Sequence, residues 1–188
     1  VFDNADKAAE LATVVTAAKD AGIQDATNMK SVFDNADKAE ELATVVEAAK
    51  EAGVQDADNL NSVFENADKA EELATVVTAA KDAGIQDATN MKSVFDNAAK
   101  AAELATVVNA AKDAGIQDAE NLSSVIGNAE NADQMLTVVE QLDTVDLEGG
   151  DSDVFENLVE VADVFGKVTD GSDSTVDTDF ARNILGNA

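Results

Sequence analysis

The 188-residue chain has no cysteine, no histidine, no tryptophan and no tyrosine. Without cysteine there is no disulfide and no thiolate chemistry. Without histidine there is no imidazole base, and most zinc, copper and haem ligation is excluded as well. The seven phenylalanines are the only aromatic residues, few for a surface that grips partners with aromatic anchors. Basic residues are also scarce: 12 Lys and Arg stand against 39 Asp and Glu, a net charge of −27. A polyanion repels phosphate backbones and anionic membrane surfaces, so neither a nucleic-acid partner nor membrane insertion is expected. No apolar run approaches the ~20 residues of a spanning helix, and no signal peptide is visible. The chain begins at Val1 and not at Met, which fits a processed or trimmed N-terminus.

What is present is repetition. Val-Phe-Asp-Asn-Ala begins at Val1 and returns at Val32, Val63 and Val94, with Glu65 replacing the Asp in the third copy. The series continues through Val125-Ile126-Gly127-Asn128-Ala129, Val154-Phe155-Glu156-Asn157 and Ile184-Leu185-Gly186-Asn187-Ala188, in steps of 31, 31, 31, 31, 29 and 30. Repeats one and three differ only at Asp3 against Glu65 and Ala9 against Glu71. A weaker alternation, Asn28-Met29-Lys30-Ser31 and its copy at Asn90 against Asn59-Leu60-Asn61-Ser62 and Asn121-Leu122-Ser123-Ser124, suggests growth by duplication of a two-repeat unit.

Within a repeat the period is helical. Ala39, Leu42, Ala43, Val46 and Ala49 share one face, and Val45 widens it, as in a helix packed between two neighbours. Asp37 with Glu40, or Asn35 two residues earlier, reads as the start of this helix. Gly22, Gly53, Gly84 and Gly115 read as its left-handed close. A shorter helix follows, opened by Asp25, Asp56, Asp87 or Asp118 and carrying the stripe Met29, Val32, Phe33. Neither helix buries its face alone, so stacking is required. The expected fold is all-α: a right-handed α-solenoid of about six two-helix repeats of about 31 residues, each a long helix plus a short one. Residues 1–124 are four near-identical repeats; residues 125–188 are two degenerate, more acidic repeats and the start of a seventh, in one continuous solenoid. The first segment carries 24 acids and 10 bases (−14), the second 15 acids and 2 bases (−13). No polar terminal cap is visible at either end. The chain is therefore expected to be a stretch of a longer protein or to stack on other copies.

Candidate chemistry is thin. The acid-rich loops offer weak calcium candidates in Asp170, Asp173, Asp177 and Asp179, with a second cluster at Asp146, Glu148, Asp151 and Asp153; calcium takes six to eight oxygens, and neither loop has the spacing of an EF-hand or of a glycine-aspartate nonapeptide repeat. Asp177 aligns with Asp25 and reads better as a helix cap. Glu40 and Glu41 are adjacent carboxylates, but an acidic pair copied along an exposed face is a solubility feature. No nucleophile has a base beside it in sequence. No catalytic residue, cofactor or enzymatic role is expected. Lys7, Lys38, Lys69 and Lys100 stand three residues before Glu10, Glu41, Glu72 and Glu103, which reads as an i, i+3 pair or as a basic stripe along the array. A short helix, a turn and a longer helix opening on lysine resembles the layout of the DNA-reading repeats of bacterial effector proteins. That family's glycine-rich reading loop is missing and the charge has the wrong sign.

The expected role is a structural or interaction module, a segment of a larger acidic repeat protein serving as spacer, adhesin stalk or self-assembling subunit, with an extracellular or cell-surface setting favoured. Its partner is then itself, by end-to-end stacking. The alternative is a protein- or peptide-binding solenoid with a basic partner, read by the varying position Thr16, Glu47, Thr78, Asn109, Glu140. An acidic mimic of nucleic acid and a DNA-binding array rank below both.

Overall fold

The computed structural model describes residues 5–23, 26–113, 116, 119–142 and 157–169. Among them are ten α-helices and no strand: α1 (Ala8–Asp20), α2 (Ala26–Asp34), α3 (Ala39–Ala52), α4 (Ala57–Glu65), α5 (Ala70–Asp82), α6 (Ala88–Asp96), α7 (Ala101–Asp113), α8 (Ala119–Gly127), α9 (Ala132–Leu142) and α10 (Leu158–Thr169). The long helices α1, α3, α5, α7, α9 and α10 each pack on the next, and so do the short helices α2, α4, α6 and α8. The core lies between these two rows. It is built from small residues at the same places in every copy: Val14, Val45, Val76, Val107 and Val138 are all fully buried. Ala36, Ala67, Ala98 and Ala129 are buried beside them. Small side chains let helix axes approach closely, and such close-packed interiors leave few voids.

The helix ends explain the repeat length. Gly22, Gly53 and Gly84 have φ of 79°, 75° and 80°, a left-handed conformation that costs a residue with a Cβ about 1 kcal/mol. The amide of Val54 then donates to Ala49 O at 2.9 Å and that of Gly53 to Lys50 O at 3.2 Å, the paired bonds that satisfy a helix's last carbonyls. Ile23 and Ile85 repeat the longer bond at 2.8 Å. These three residues are themselves buried, so the glycine turn delivers an apolar side chain into the core at the moment it ends the helix. Two residues later Asp56 and Asp87 cap α4 and α6 through the amides of Asn59 and Asn90, at 3.1 and 3.0 Å. That hydrogen bond to the amide holds each aspartate's carboxyl below its ordinary range. Asp25, Asp118 and Gly115 lie outside the described residues.

The start of the long helix departs from the sequence expectation. Each of α3, α5 and α7 is entered through a single turn of 3-10 helix, Ala36–Lys38, Ala67–Lys69 and Ala98–Lys100. No side chain caps α3 or α5, so the Asp37–Glu40 capping box does not form, and neither does its copy one repeat on, at Asp68 and Glu71. Asn35 is not a forward cap either. Its amide Nδ2 turns back and donates to Ser31 O at 3.0 Å, and Asn66, Asn97 and Asn128 do the same at 2.9, 3.0 and 2.8 Å. The tight turn explains this: the lysine amide already bonds the asparagine's own carbonyl, as Lys38 N to Asn35 O at 3.0 Å. The asparagine side chain is left to close the helix behind it.

Candidate functional site: the junction between repeats

Among the described residues, several recurring polar side chains meet at the seam between one repeat and the next. The recurring threonines Thr13, Thr44, Thr75, Thr106 and Thr137 bond only carbonyls of their own helices. Lys7 at the start of the first long helix does not pair with Glu10; its Nζ reaches Glu40 of the second repeat at 3.2 Å. That hydrogen bond holds the Lys7 ammonium above its usual range. Lys38 donates to the carbonyl oxygen of Asp68, and Lys69 to that of Ala99. Lys100 donates to Glu130 O at 2.6 Å and pairs with the Asp133 carboxylate at 2.7 Å. The recurring lysine is therefore a forward staple across 30 to 33 residues, neither an i, i+3 pair nor a free basic stripe.

The partner expected for that lysine behaves differently. Glu10, Glu41, Glu72 and Glu103 each keep one carboxylate oxygen shielded from solvent with no hydrogen-bond partner among the described residues. Gln134 occupies the same place in the fifth repeat and has the same orphaned oxygen. So Glu40 and Glu41 are not two equal exposed acids. Glu40 is exposed and stapled, and Glu41 is half-buried.

On the short-helix side the seam is amide-rich. Asn28 and Asn59 are buried, 4% and 0% exposed. A buried amide needs partners, and part of the supply comes from the neighbouring repeat. Asn28 Nδ2 donates to Asn61 Oδ1 at 2.6 Å, and Lys92 Nζ donates to Asn59 Oδ1 at 3.0 Å. Of the alternating Lys30, Asn61 and Lys92, the latter two thus make a contact across a seam, whereas Lys30 pairs with Asp34 of its own repeat. Ser93 Oγ bonds Gly127 O at 3.0 Å across the next seam. A Cβ on Gly127 would lie 2.8 Å from Asn90 Oδ1, so this glycine makes room for the amide where Asp34, Glu65 and Asp96 stand in the other copies.

The outer face of the long helices is open. Thr16, Glu47, Thr78, Asn109 and Glu140 are all exposed, in one row. Shallow grooves run beside it: one of about 370 Å³ between α1 and α3, lined by Thr13, Thr16, Glu47 and Lys50 among others, and one of about 510 Å³ between α3 and α5 that includes Glu40, Glu71 and Thr78. Lys81 bridges this face to Glu51 at 3.0 Å. Among the described residues no three acids stand close enough to hold a metal ion, and no helix is long and apolar enough to cross a membrane. The calcium candidates Asp170, Asp173, Asp177 and Asp179, and the cluster from Asp146 to Asp153, lie outside the described residues.

The sequence missed both lysine and asparagine roles, because each depends on a contact about one repeat length away or on a turn geometry. One signal was there: a residue's neighbour in the next repeat lies near i+31, and for Lys7 that window holds three acids, Asp37, Glu40 and Glu41, of which the structure selects Glu40. No protein-family model, characterised protein or solved structure matches this chain.

Proposed function

We propose that the chain is a non-enzymatic structural repeat module, a stretch of right-handed α-solenoid in a larger acidic repeat protein that acts as spacer, stalk or self-assembling subunit at the cell surface or outside the cell. One observation carries this reading: a lysine held constant from copy to copy reaches the next repeat, and a constant valine is fully buried in each. Lys7, Lys38, Lys69 and Lys100 staple forward, and Val14, Val45, Val76, Val107 and Val138 fill the core between the rows. A binding pocket would instead keep a divergent, convergently placed set of polar groups. The high negative charge suits a solvated spacer whose self-repulsion is relieved in saline.

A second reading has one observation in its favour. The variable row Thr16, Glu47, Thr78, Asn109, Glu140 is solvent-facing in every copy, as a readout of a basic protein or peptide requires. Pull-down from the native source with and without about 0.5 M salt, where surface electrostatics is largely screened, tests both. Self-association of the chain supports the structural module. A salt-sensitive basic partner captured without self-association overturns it in favour of the binding array.

A further inference from the structure

The three seams between short helices use different hydrogen bonds, although each contains the same side chain. Asn28, Asn59 and Asn90 stand three residues after Asp25, Asp56 and Asp87, and the residues 33 positions on are Asn61, Lys92 and Ser123. In the second seam chemistry forces the orientation of the amide. Lysine only donates and a carboxylate only accepts, so Asn59 turns Oδ1 forward to Lys92 Nζ at 3.0 Å and Nδ2 back to Asp56 Oδ2 at 2.5 Å. In the first seam the amide is reversed, and Asn28 Nδ2 donates forward to Asn61 Oδ1 at 2.6 Å. In the third, Asn90 Nδ2 again turns back, to Asp87 Oδ2 at 2.7 Å, and Oδ1 faces the space that Gly127 leaves open. The surroundings change in step. Lys92 is paired with Asp96 at 3.2 Å, and the third seam has neither, with Ser123 and Gly127 in their places. The first keeps the acid, as Glu65, without the lysine, and there the asparagine presents its donor.

We propose that this asparagine is an adaptor between repeats, an amide with two settings, and that the residue 33 positions on decides which end of it faces the seam. The settings differ by a half-turn about the last side-chain torsion, which in asparagine is broad and roughly two-fold. Aspartate would offer acceptors alone, lysine donors alone and leucine neither. Asn28 and Asn59 are 4% and 0% exposed, and a polar neighbour left unmatched at such depth is costly. Asparagine matches both kinds of neighbour. A repeat carrying lysine and a repeat carrying asparagine can therefore follow the same predecessor, and units can be gained, lost or reordered without rebuilding the seam. The inference goes beyond the role proposed above and holds whether the array is a spacer or a binding surface.

The test reads the side-chain amide protons of the full chain by nuclear magnetic resonance, together with denaturant titration of three variants. In the unaltered chain the Asn59 Nδ2 protons should show Overhauser contacts to the Asp56 turn of their own repeat, and those of Asn28 to the short helix of the next. Lys92→Asn should turn the Asn59 contacts forward, and Asn61→Lys should turn those of Asn28 back. Each of these two swaps should change the unfolding equilibrium constant by less than ~10-fold, about 1.4 kcal/mol. Asn59→Leu, which offers neither end, should change it by more than either. Matching contacts for Asn28 and Asn59 in the unaltered chain overturn the proposal without any variant. So does a Lys92→Asn chain in which the Asn59 contacts stay where they were, or a swap as costly as Asn59→Leu.

Discussion

The four strict repeats and the fifth build the same junction from different parts. In the strict copies a lysine reaches forward and a glutamate three residues later keeps one oxygen buried and unpartnered. In the fifth, Asn131 replaces the lysine, Gln134 the glutamate and Met135 the leucine, while Leu136 stands where the strict copies have Ala12, Ala43, Ala74 and Ala105. Yet Val138 is as buried as Val107, and Met135 as buried as Leu104. Packing is thus the shared requirement, and the charged staple is an addition to it. That ranking matches the magnitudes: a buried large side chain is worth several kcal/mol, a part-exposed ion pair on the order of 0–1.

Truncating the core tests the ranking most severely. Leu104→Ala and Met135→Ala should each lower unfolding free energy by about 2–5 kcal/mol, measured by denaturant titration. A silent Met135→Ala would mean that the fifth repeat does not share the strict repeats' core. Gly84→Ala comes next. A Cβ there meets nothing within 4 Å, so the cost is conformational alone, about 1 kcal/mol, and a thermal melt would read it. Lys100→Met should cost on the order of 0.5–1 kcal/mol, since it removes one carbonyl bond and one third-exposed ion pair. Losing as much as Leu104→Ala would show that the staple, not the packing, holds the seam. Smallest is Glu103→Gln, which copies the fifth repeat's choice and should shift the melting midpoint by no more than about 0.5 kcal/mol equivalent, upward if at all.

Acid separates the two kinds of force. Asp56 and Asp87 are held below their ordinary range by amide hydrogen bonds. Their contribution is complete above the unfolded value near ~3.9 and is lost as pH falls through the lower folded values. Meanwhile protonating other carboxylates relieves the −27 self-repulsion. At low salt the melting midpoint should rise from pH ~7 to a maximum around pH ~4–5 and then fall. High salt should flatten the first limb and leave the second. Asp56→Ala with Asp87→Ala should shallow the acid fall; an unchanged fall would remove these caps from the account.

Much of the architecture was legible because it is local. The i, i+3, i+4 spacing from Ala39 to Ala49 found the buried face, the glycines found the helix ends, and Asp56 and Asp87 found the starts. What was not legible is what a one-repeat view cannot contain. Asn35 has the chemistry of a forward cap, and only the 3-10 turn after it decides that its amide points backward. Lys7 has Glu10 within helical reach, and only the placement of the next repeat brings Glu40 closer. Phe33 is identical in type to Phe64 but 40% exposed against 0%, and its exposure depends on what lies beside it, not on its own surroundings in sequence.

The lysine staple also has a mechanical meaning. Its ends are 30 or 33 residues apart, and no contact it makes skips a repeat. Nearest-neighbour bonding of this kind lets a chain fold from any point and spread outward, with little loop entropy to overcome at each step. Pulled from its ends, such a chain would peel one unit at a time. Each unit would release about 10 nm of extended backbone, from ~31 residues at ~3.4 Å each. A row of separate seams would lengthen under load in steps of one repeat, the fifth seam, which has no lysine, yielding at a force of its own.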